Sequence, residues 1–281
     1  MTAPTDAPEP TASVPTAAPA PTAAPAPTAV PAPTAVPAPT EIRSGVELPA
    51  LRTEIDLVTD DHLTLVGELA EPLDRAAAGT IIALHPLPTA QGFMDSHVLK
   101  KAAARLPALA DIAVLRFNFR SVTSPRGTSE GTFGDGVSEG LDMHAALAEV
   151  EARQLPTPWL VGWSFGTEVI LKHALEHVER GAVAGIVLLS PPLRRTSPAE
   201  LARWRGAGVP VVALVPELDD FLRPDAAAHA FATVPEVRVE PVAGAKHLWV
   251  GEKYVRIVLD RVADLVVPGS APLPTVWPAA R

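Results

Sequence analysis

The spacing of apolar and polar residues predicts a hairpin followed by alternating strands and helices. Residues in Leu51–Val58 and Leu63–Leu69 alternate between apolar and polar on either side of Thr59-Asp60-Asp61-His62, a pattern typical of two antiparallel strands. Strand-length apolar runs then predict strands at Thr80–Leu84, Ile112–Phe117, Trp159–Trp163, Val183–Leu189, Val209–Val215 and Val237–Val242. Helical spacing predicts helices near Met94–Leu106, Val137–Arg153, Gly166–His177, Pro198–Trp204, Asp225–Ala232 and Gly251–Val266.

Continuously apolar strands separated by helices predict an α/β fold, with a mostly parallel sheet covered by helices on both faces. Functional sites in such folds lie beyond the carboxyl ends of the strands. This rule favours six loops, which start at His85, Asn118, Ser164, Ser190, Glu217 and Ala243.

The two ends of the chain differ from its middle. Residues 1–40 consist almost entirely of Pro, Ala and Thr and contain a six-residue repeat that begins at Pro19, Pro25 and Pro31. This composition offers little to bury, so we expect a disordered tether; a partner that recognises its prolines is conceivable but unsupported. We place the globular domain at residues 41–267 and a loose tail at 268–281, in which Trp277 is a residue that can dock on the body.

Composition narrows the classes of partner. The chain has 281 residues, no cysteine and a net charge of -9, and it has no long Lys/Arg cluster, which argues against nucleic acid and anionic membranes as partners. No apolar run approaches the roughly 18 residues of a membrane span. The N-terminus lacks the basic start and apolar stretch of a secretory signal, so the expected location is cytoplasmic.

The segment Gly162-Trp163-Ser164-Phe165-Gly166 carries the strongest chemical signal. It matches Gly-x-Ser-x-Gly, in which a nucleophilic serine sits on a strained turn between a strand and a helix. A predicted strand precedes it and a predicted helix follows it. We therefore expect Ser164 to be a nucleophile, with a strained backbone and glycines where side chains would collide.

A serine nucleophile needs a base and an acid that orients the base. Of eight histidines, only His85 and His247 follow predicted strands at the active edge. The order Ser, acid, His favours His247 as the base and leaves His85 a structural role in its loop. The acid should follow the strand Val209–Val215, where spacing leaves Glu217, Asp219 and Asp220 open.

Several segments in this order resemble the α/β-hydrolase superfamily, in particular its small lidless bacterial members. They are Leu84-His85-Pro86-Leu87-Pro88, Arg116-Phe117-Asn118-Phe119-Arg120, Gly127-Thr128-Ser129-Glu130-Gly131, Gly162-Trp163-Ser164-Phe165-Gly166, Leu218-Asp219-Asp220-Phe221-Leu222-Arg223-Pro224 and Gly244-Ala245-Lys246-His247. The resemblance implies that Asp219 is the acid, with Asp220 as the runner-up. Pro216 and Ser121 stand where the family usually has glycine.

An oxyanion hole needs two backbone donors. The residue after the nucleophile supplies one, so we expect the N–H of Phe165 to serve. The second should come from the loop after Thr80–Leu84. Pro86 has no N–H, which leaves Leu87 by position.

The interval from Ser190 to Gly208 is too short for a large cap domain, so we expect an open, shallow site. Its expected walls are Phe93, Phe165, Phe221 and Trp249, with His85 nearby. No residue spacing indicates a metal or nucleotide site, and no cofactor is expected.

These features together predict a serine hydrolase, carboxylesterase-like, that acts on a small-molecule acyl substrate. The alternative from another class is a binding or scaffold protein that has kept the fold and lost the chemistry. Within enzymes, thioesterase, peptidase and acyltransferase activities stay open.

Overall fold

The computed structural model describes residues 1–2 and 39–278, and residues 39–278 belong to one structural unit. The predicted tether over residues 1–40 therefore lies almost wholly outside the described residues. The strands are β1 (Thr40–Glu41), β2 (Leu51–Val58), β3 (Thr64–Glu71), β4 (Gly79–Leu84), β5 (Ile112–Phe117), β6 (Thr123–Ser124), β7 (Gly127–Thr128), β8 (Trp159–Trp163), β9 (Gly185–Leu189), β10 (Val211–Pro216), β11 (Val237–Val242) and β12 (Val276–Trp277). The helices are α1 (His97–Ala110), α2 (Glu139–Ala152), α3 (Phe165–His173), α4 (Leu175–Glu179), α5 (Pro198–Ala202), α6 (Pro224–Phe231) and α7 (Glu252–Val266).

Eight strands form the central sheet, in the order β11-β10-β9-β8-β4-β5-β3-β2. The hairpin β2–β3 is antiparallel and joins β5 in antiparallel fashion, whereas β5, β4, β8, β9, β10 and β11 all run parallel. Every residue of β4, β5, β8, β9 and β10 is buried, as expected for strands covered on both faces. The predicted α/β architecture, a mostly parallel sheet with an N-terminal antiparallel hairpin, is confirmed.

The central strands contribute their successive side chains alternately to two hydrophobic cores. Ile82 and Leu160 belong to a core with residues of α2, α3 and α6, whereas Ile81 and Val161 belong to a core with residues of α1 and α7. This division follows from the two-residue period of a strand. On α7 the buried residues recur at helical spacing, at Val255, Val258, Leu259, Val262 and Ala263.

Helix α1 runs beyond the proline at which the sequence pattern predicted its end. Pro107 lies inside the helix and has no N–H to donate to the carbonyl of Ala103. Arg52 on β2 donates to that carbonyl instead, at 3.1 Å from Nη2. A distant side chain thus satisfies the acceptor that the proline leaves open, and α1 ends at Ala110.

The described part of the predicted loose tail contacts the body. Leu273 is buried, its N–H donates to Asp260 of α7 at 2.9 Å, and its carbonyl accepts from Arg256 at 2.5 Å. β12 pairs with β1, so that Thr40 lies opposite Trp277. No helix within residues 1–2 and 39–278 is long and apolar enough to cross a membrane.

Candidate active site

Ser164 occupies a sharp turn between β8 and α3. Its φ of 52° and ψ of -112° lie outside the regions that residues other than glycine usually adopt. The flanking glycines allow the turn. A Cβ on Gly162 would lie 2.7 Å from the backbone of Gly166, and one on Gly166 would lie well inside 3.0 Å of the carbonyl of Leu84. The strain and the close approaches expected from the motif are both present.

His247 lies between Ser164 and Asp219. Its Nε2 is 2.9 Å from the Ser164 Oγ, and its Nδ1 is 2.9 and 3.1 Å from the two carboxylate oxygens of Asp219. Asp219 follows β10 and His247 follows β11, so neighbouring strands deliver both groups to the edge of the sheet where β8 delivers the serine. The structure therefore brings the three sequence-predicted side chains into one hydrogen-bonded chain.

Asp219 is the acidic residue that faces the histidine. It is 2 % exposed, and its Oδ1 accepts hydrogen bonds from the N–H groups of Phe221 and Leu222 at 2.8 and 3.3 Å. Burial opposes ionisation, but the hydrogen bonds from His247 and from these two N–H groups lower the pKa of Asp219 below its usual value. Asp220 is exposed at the rim, and the carboxylate of Glu217 accepts a hydrogen bond from the N–H of Gly244 instead.

The N–H groups of Leu87 and Phe165 are both available at this site. Within residues 39–278, neither donates a hydrogen bond. Phe165 is the first residue of α3, where an N–H has no partner inside the helix, and both residues line the same cavity as Ser164 and His247. A carbonyl oxygen held beside Ser164 is placed to meet such donors.

His85 holds the loop after β4. It is fully buried, its Nδ1 lies 2.6 Å from the Pro86 carbonyl, and its Nε2 accepts from the N–H of Phe119 at 3.0 Å. These contacts fix a neutral ring with the proton on Nδ1. Burial lowers the pKa of His85 to about 4.

A cavity of about 510 Å³ opens above Ser164. Phe221, half exposed, covers the His247 ring at 4.4 Å between centroids, and the Arg194 guanidinium lies 5.5 Å over the Phe221 ring. Of the walls expected from sequence, Phe165 and Phe221 line this cavity. His85, Phe93 and Trp249 do not: Trp249 is fully buried, and Phe93 lines a neighbouring cavity beside Val122.

Sequence reasoning did not anticipate the arginines of this cavity. Arg194 and Arg195 lie in the loop after β9. This loop starts at Ser190 and is one of the six loops at the carboxyl ends of strands that the sequence favoured. Glu168 of α3 holds that loop: its buried carboxylate accepts from both arginine N–H groups at 2.6 and 3.0 Å and from the Thr196 hydroxyl at 2.5 Å. The sequence signal available for this loop was Glu168, an acidic residue one turn after Ser164 in the predicted helix.

The fold has many counterparts among solved structures, although no protein-family model and no curated protein sequence matches the chain. An α/β serine hydrolase without lid from Xanthomonas campestris is 26% identical, with a TM-score of 0.61, over 78% of this chain and 94% of that one. An α/β serine hydrolase homologue from Coxiella burnetii is 22% identical, with a TM-score of 0.62, over 75% and 95%.

An esterase from Pyrococcus furiosus is 17% identical, with a TM-score of 0.62, over 77% of this chain and 91% of that one. These similarities extend over more than nine tenths of each counterpart and at least three quarters of this chain. Together with the strand order and the turn at Ser164, they show that the chain is a member of the α/β-hydrolase superfamily.

Proposed function

We propose that this protein is a serine hydrolase that cleaves an ester or related acyl bond of a small molecule through an acyl-enzyme. The observation that carries the proposal is the chain of hydrogen bonds from Ser164 through His247 to Asp219, beside two backbone N–H groups that have no acceptor within residues 39–278. The esterase and serine hydrolases among the structural counterparts support the same class of chemistry.

In the first half of the reaction, the Ser164 Oγ attacks the carbonyl carbon and its proton passes to the Nε2 of His247. The electron pair of the carbonyl moves onto its oxygen, which accepts hydrogen bonds from the N–H groups of Leu87 and Phe165. The intermediate then collapses, the bond to the leaving alcohol breaks, and the alcohol takes the proton from His247.

In the second half, water replaces the alcohol. His247 accepts a proton from the water as it attacks the acyl-enzyme, and returns the proton to the Ser164 Oγ as the acid departs. The low pKa of Asp219 keeps its carboxylate ionised, which stabilises the imidazolium and holds the proton on Nδ1 before each transfer.

Covalent labelling tests this proposal without knowledge of the substrate. A fluorophosphonate should label Ser164 in the full chain, and Ser164→Ala should abolish labelling and lower turnover of a short p-nitrophenyl ester by roughly 10⁴ to 10⁶-fold. A folded wild-type protein that resists the probe and leaves the ester intact would favour a binding or scaffold protein with the hydrolase fold.

Comparison of matched ester, thioester and amide substrates then separates esterase from thioesterase and peptidase activity. An added alcohol acceptor reveals acyltransferase activity.

A further inference from the structure

Two buried side chains from adjacent strands donate to the same backbone oxygen, the carbonyl of His247. The indole Nε1 of Trp163 lies 3.1 Å from it, and the Ser190 Oγ also lies 3.1 Å from it. Trp163 is the last residue of β8, and Ser190 immediately follows β9, which pairs with β8 in parallel. The loop that carries the histidine is therefore attached to the centre of the sheet, next to Ser164.

The carbonyl of the next residue, Leu248, also has a side-chain partner. Nε2 of His97, at the start of α1, lies 2.7 Å from the oxygen of Leu248. The His97 ring packs edge-on against Trp163, with 5.4 Å between the ring centroids and 89° between their planes. Two consecutive carbonyls of the loop thus meet side chains that contact each other.

The loop needs such attachments because its backbone is strained. Trp249 has a φ of 53°, a left-handed conformation that costs a residue other than glycine roughly 1 kcal/mol or more. Strain of this kind persists only where surrounding contacts fix it. Nothing within the described residues other than Trp163 and Ser190 donates to the His247 carbonyl, so loss of both donors leaves that buried oxygen unpaired.

We propose that Trp163 and Ser190 are positioning residues: through the carbonyl of His247 they hold the imidazole Nε2 against the Ser164 Oγ. The inference rests on the proposed function, since it concerns the base of that reaction. It gives a role to Trp163, the residue immediately before the nucleophile. Because both donors share one acceptor, each partly replaces the other when one is lost.

The variants Trp163→Phe, Ser190→Ala and the double variant test this in the full chain. Each single change should slow fluorophosphonate reaction at Ser164, and kcat for a short ester, about three- to ten-fold, the loss expected for one hydrogen bond, with KM changed less than about two-fold. The double variant should lose more than the product of the single losses, because only then is the oxygen unpaired.

Trp204→Phe is the matched control. Its indole is equally buried and donates to the Leu171 carbonyl at 2.8 Å, away from the His247 loop. It should lower the melting temperature as Trp163→Phe does, yet leave the rates unchanged. Equal rate losses in Trp204→Phe, single losses below about two-fold, or a double loss no greater than the product would each overturn the proposal.

A spectroscopic readout separates this inference from the proposed function. The proton of the His247 Nδ1, hydrogen-bonded to Asp219, should give a sharp low-field ¹H NMR signal in the wild type and in Trp204→Phe. It should broaden or vanish in the double variant, as the ring loses its fixed orientation. If the wild type is inert to the probe but the signal changes in this way, the proposed function fails and the positioning role stands; a signal that stays sharp in the double variant overturns the positioning role.

Discussion

Gly166 on α3 lies directly against the carbonyl of Leu84, the last residue of β4. A Cβ at position 166 would fall well inside 3.0 Å of that oxygen, a distance at which either the helix or the strand end has to move. This approach brings the start of α3, with the N–H of Phe165 that has no acceptor among the described residues, beside the loop that carries Leu87. The second glycine of the motif therefore sets the spacing of the two proposed oxyanion donors.

Gly166→Ala should impair the reaction more than it impairs folding. Displacement of α3 from β4 costs about 1–3 kcal/mol of stability by overpacking and moves the Phe165 N–H away from the reacting oxygen. We expect kcat for a short ester to fall by roughly 10²-fold or more, the loss of one oxyanion donor. Gly45→Ala, where a Cβ meets nothing within 4 Å, is the control and should match the wild type. Full activity in a folded Gly166→Ala protein would contradict the role given to this contact.

Asp219→Asn should lower kcat on the order of 10⁴-fold. The asparagine oxygen can still accept from Phe221 and Leu222, but its amide then faces the Nδ1 of His247 as a donor. That forces the ring proton onto Nε2, which can no longer accept the proton of Ser164. Asp220→Asn, at an exposed position, should change kcat by less than about ten-fold. The reverse ranking in steady-state kinetics would assign the acid to Asp220.

Stability should fall as the pH drops, in part because of His85. The unfolded chain binds a proton on this residue near 6.5, whereas the folded chain binds it only near pH 4. Between these pH values the unfolded state holds more protons than the folded state. His85 therefore adds up to about 3 kcal/mol to the free energy of unfolding above its unfolded pKa of 6.5, and this contribution is lost as the pH falls toward about 4.

Urea unfolding of wild type and His85→Gln between about pH 7 and about pH 4.5 measures this contribution. The variant should be less stable at neutral pH and should show a shallower decline on acidification. Parallel declines in the two proteins would mean that His85 is not held neutral by its burial.

The acidic limb of the kcat/KM profile should belong to His247 and not to His85. His247 must be neutral to accept the proton of Ser164, so activity rises with pH as the base deprotonates. His85→Gln should keep this limb even if its rate falls, and His247→Ala should lose the limb together with most of the activity. If His85→Gln alone loses the limb in its pH–rate profile, the base is His85 and its assignment to His247 is wrong.

Local pattern was enough to find most of the fold. Strands such as Ile112–Phe117 and Trp159–Trp163 appear at the predicted bounds because continuous apolar runs of that length must be buried on both faces. The end of α1 was missed because Pro107 is a helix breaker in any local reading, whereas the partner that satisfies the freed carbonyl, Arg52, is 51 positions from Ala103 in sequence.

For the site, sequence determined which chemical groups are present and in what order: a serine in a Gly-x-Ser-x-Gly turn, an acid after one strand and a histidine after the next. Tertiary structure decided which acid faces the base, which aromatic residues reach the cavity, and what holds the His247 loop. Trp249 follows His247 by two positions and Phe221 follows Asp219 by two, yet Trp249 is fully buried whereas Phe221 is half exposed and covers the His247 ring. The reason is that side-chain direction in irregular loops depends on backbone torsions and distant donors, here Trp163 and Ser190, and no residue pattern within the loop encodes either.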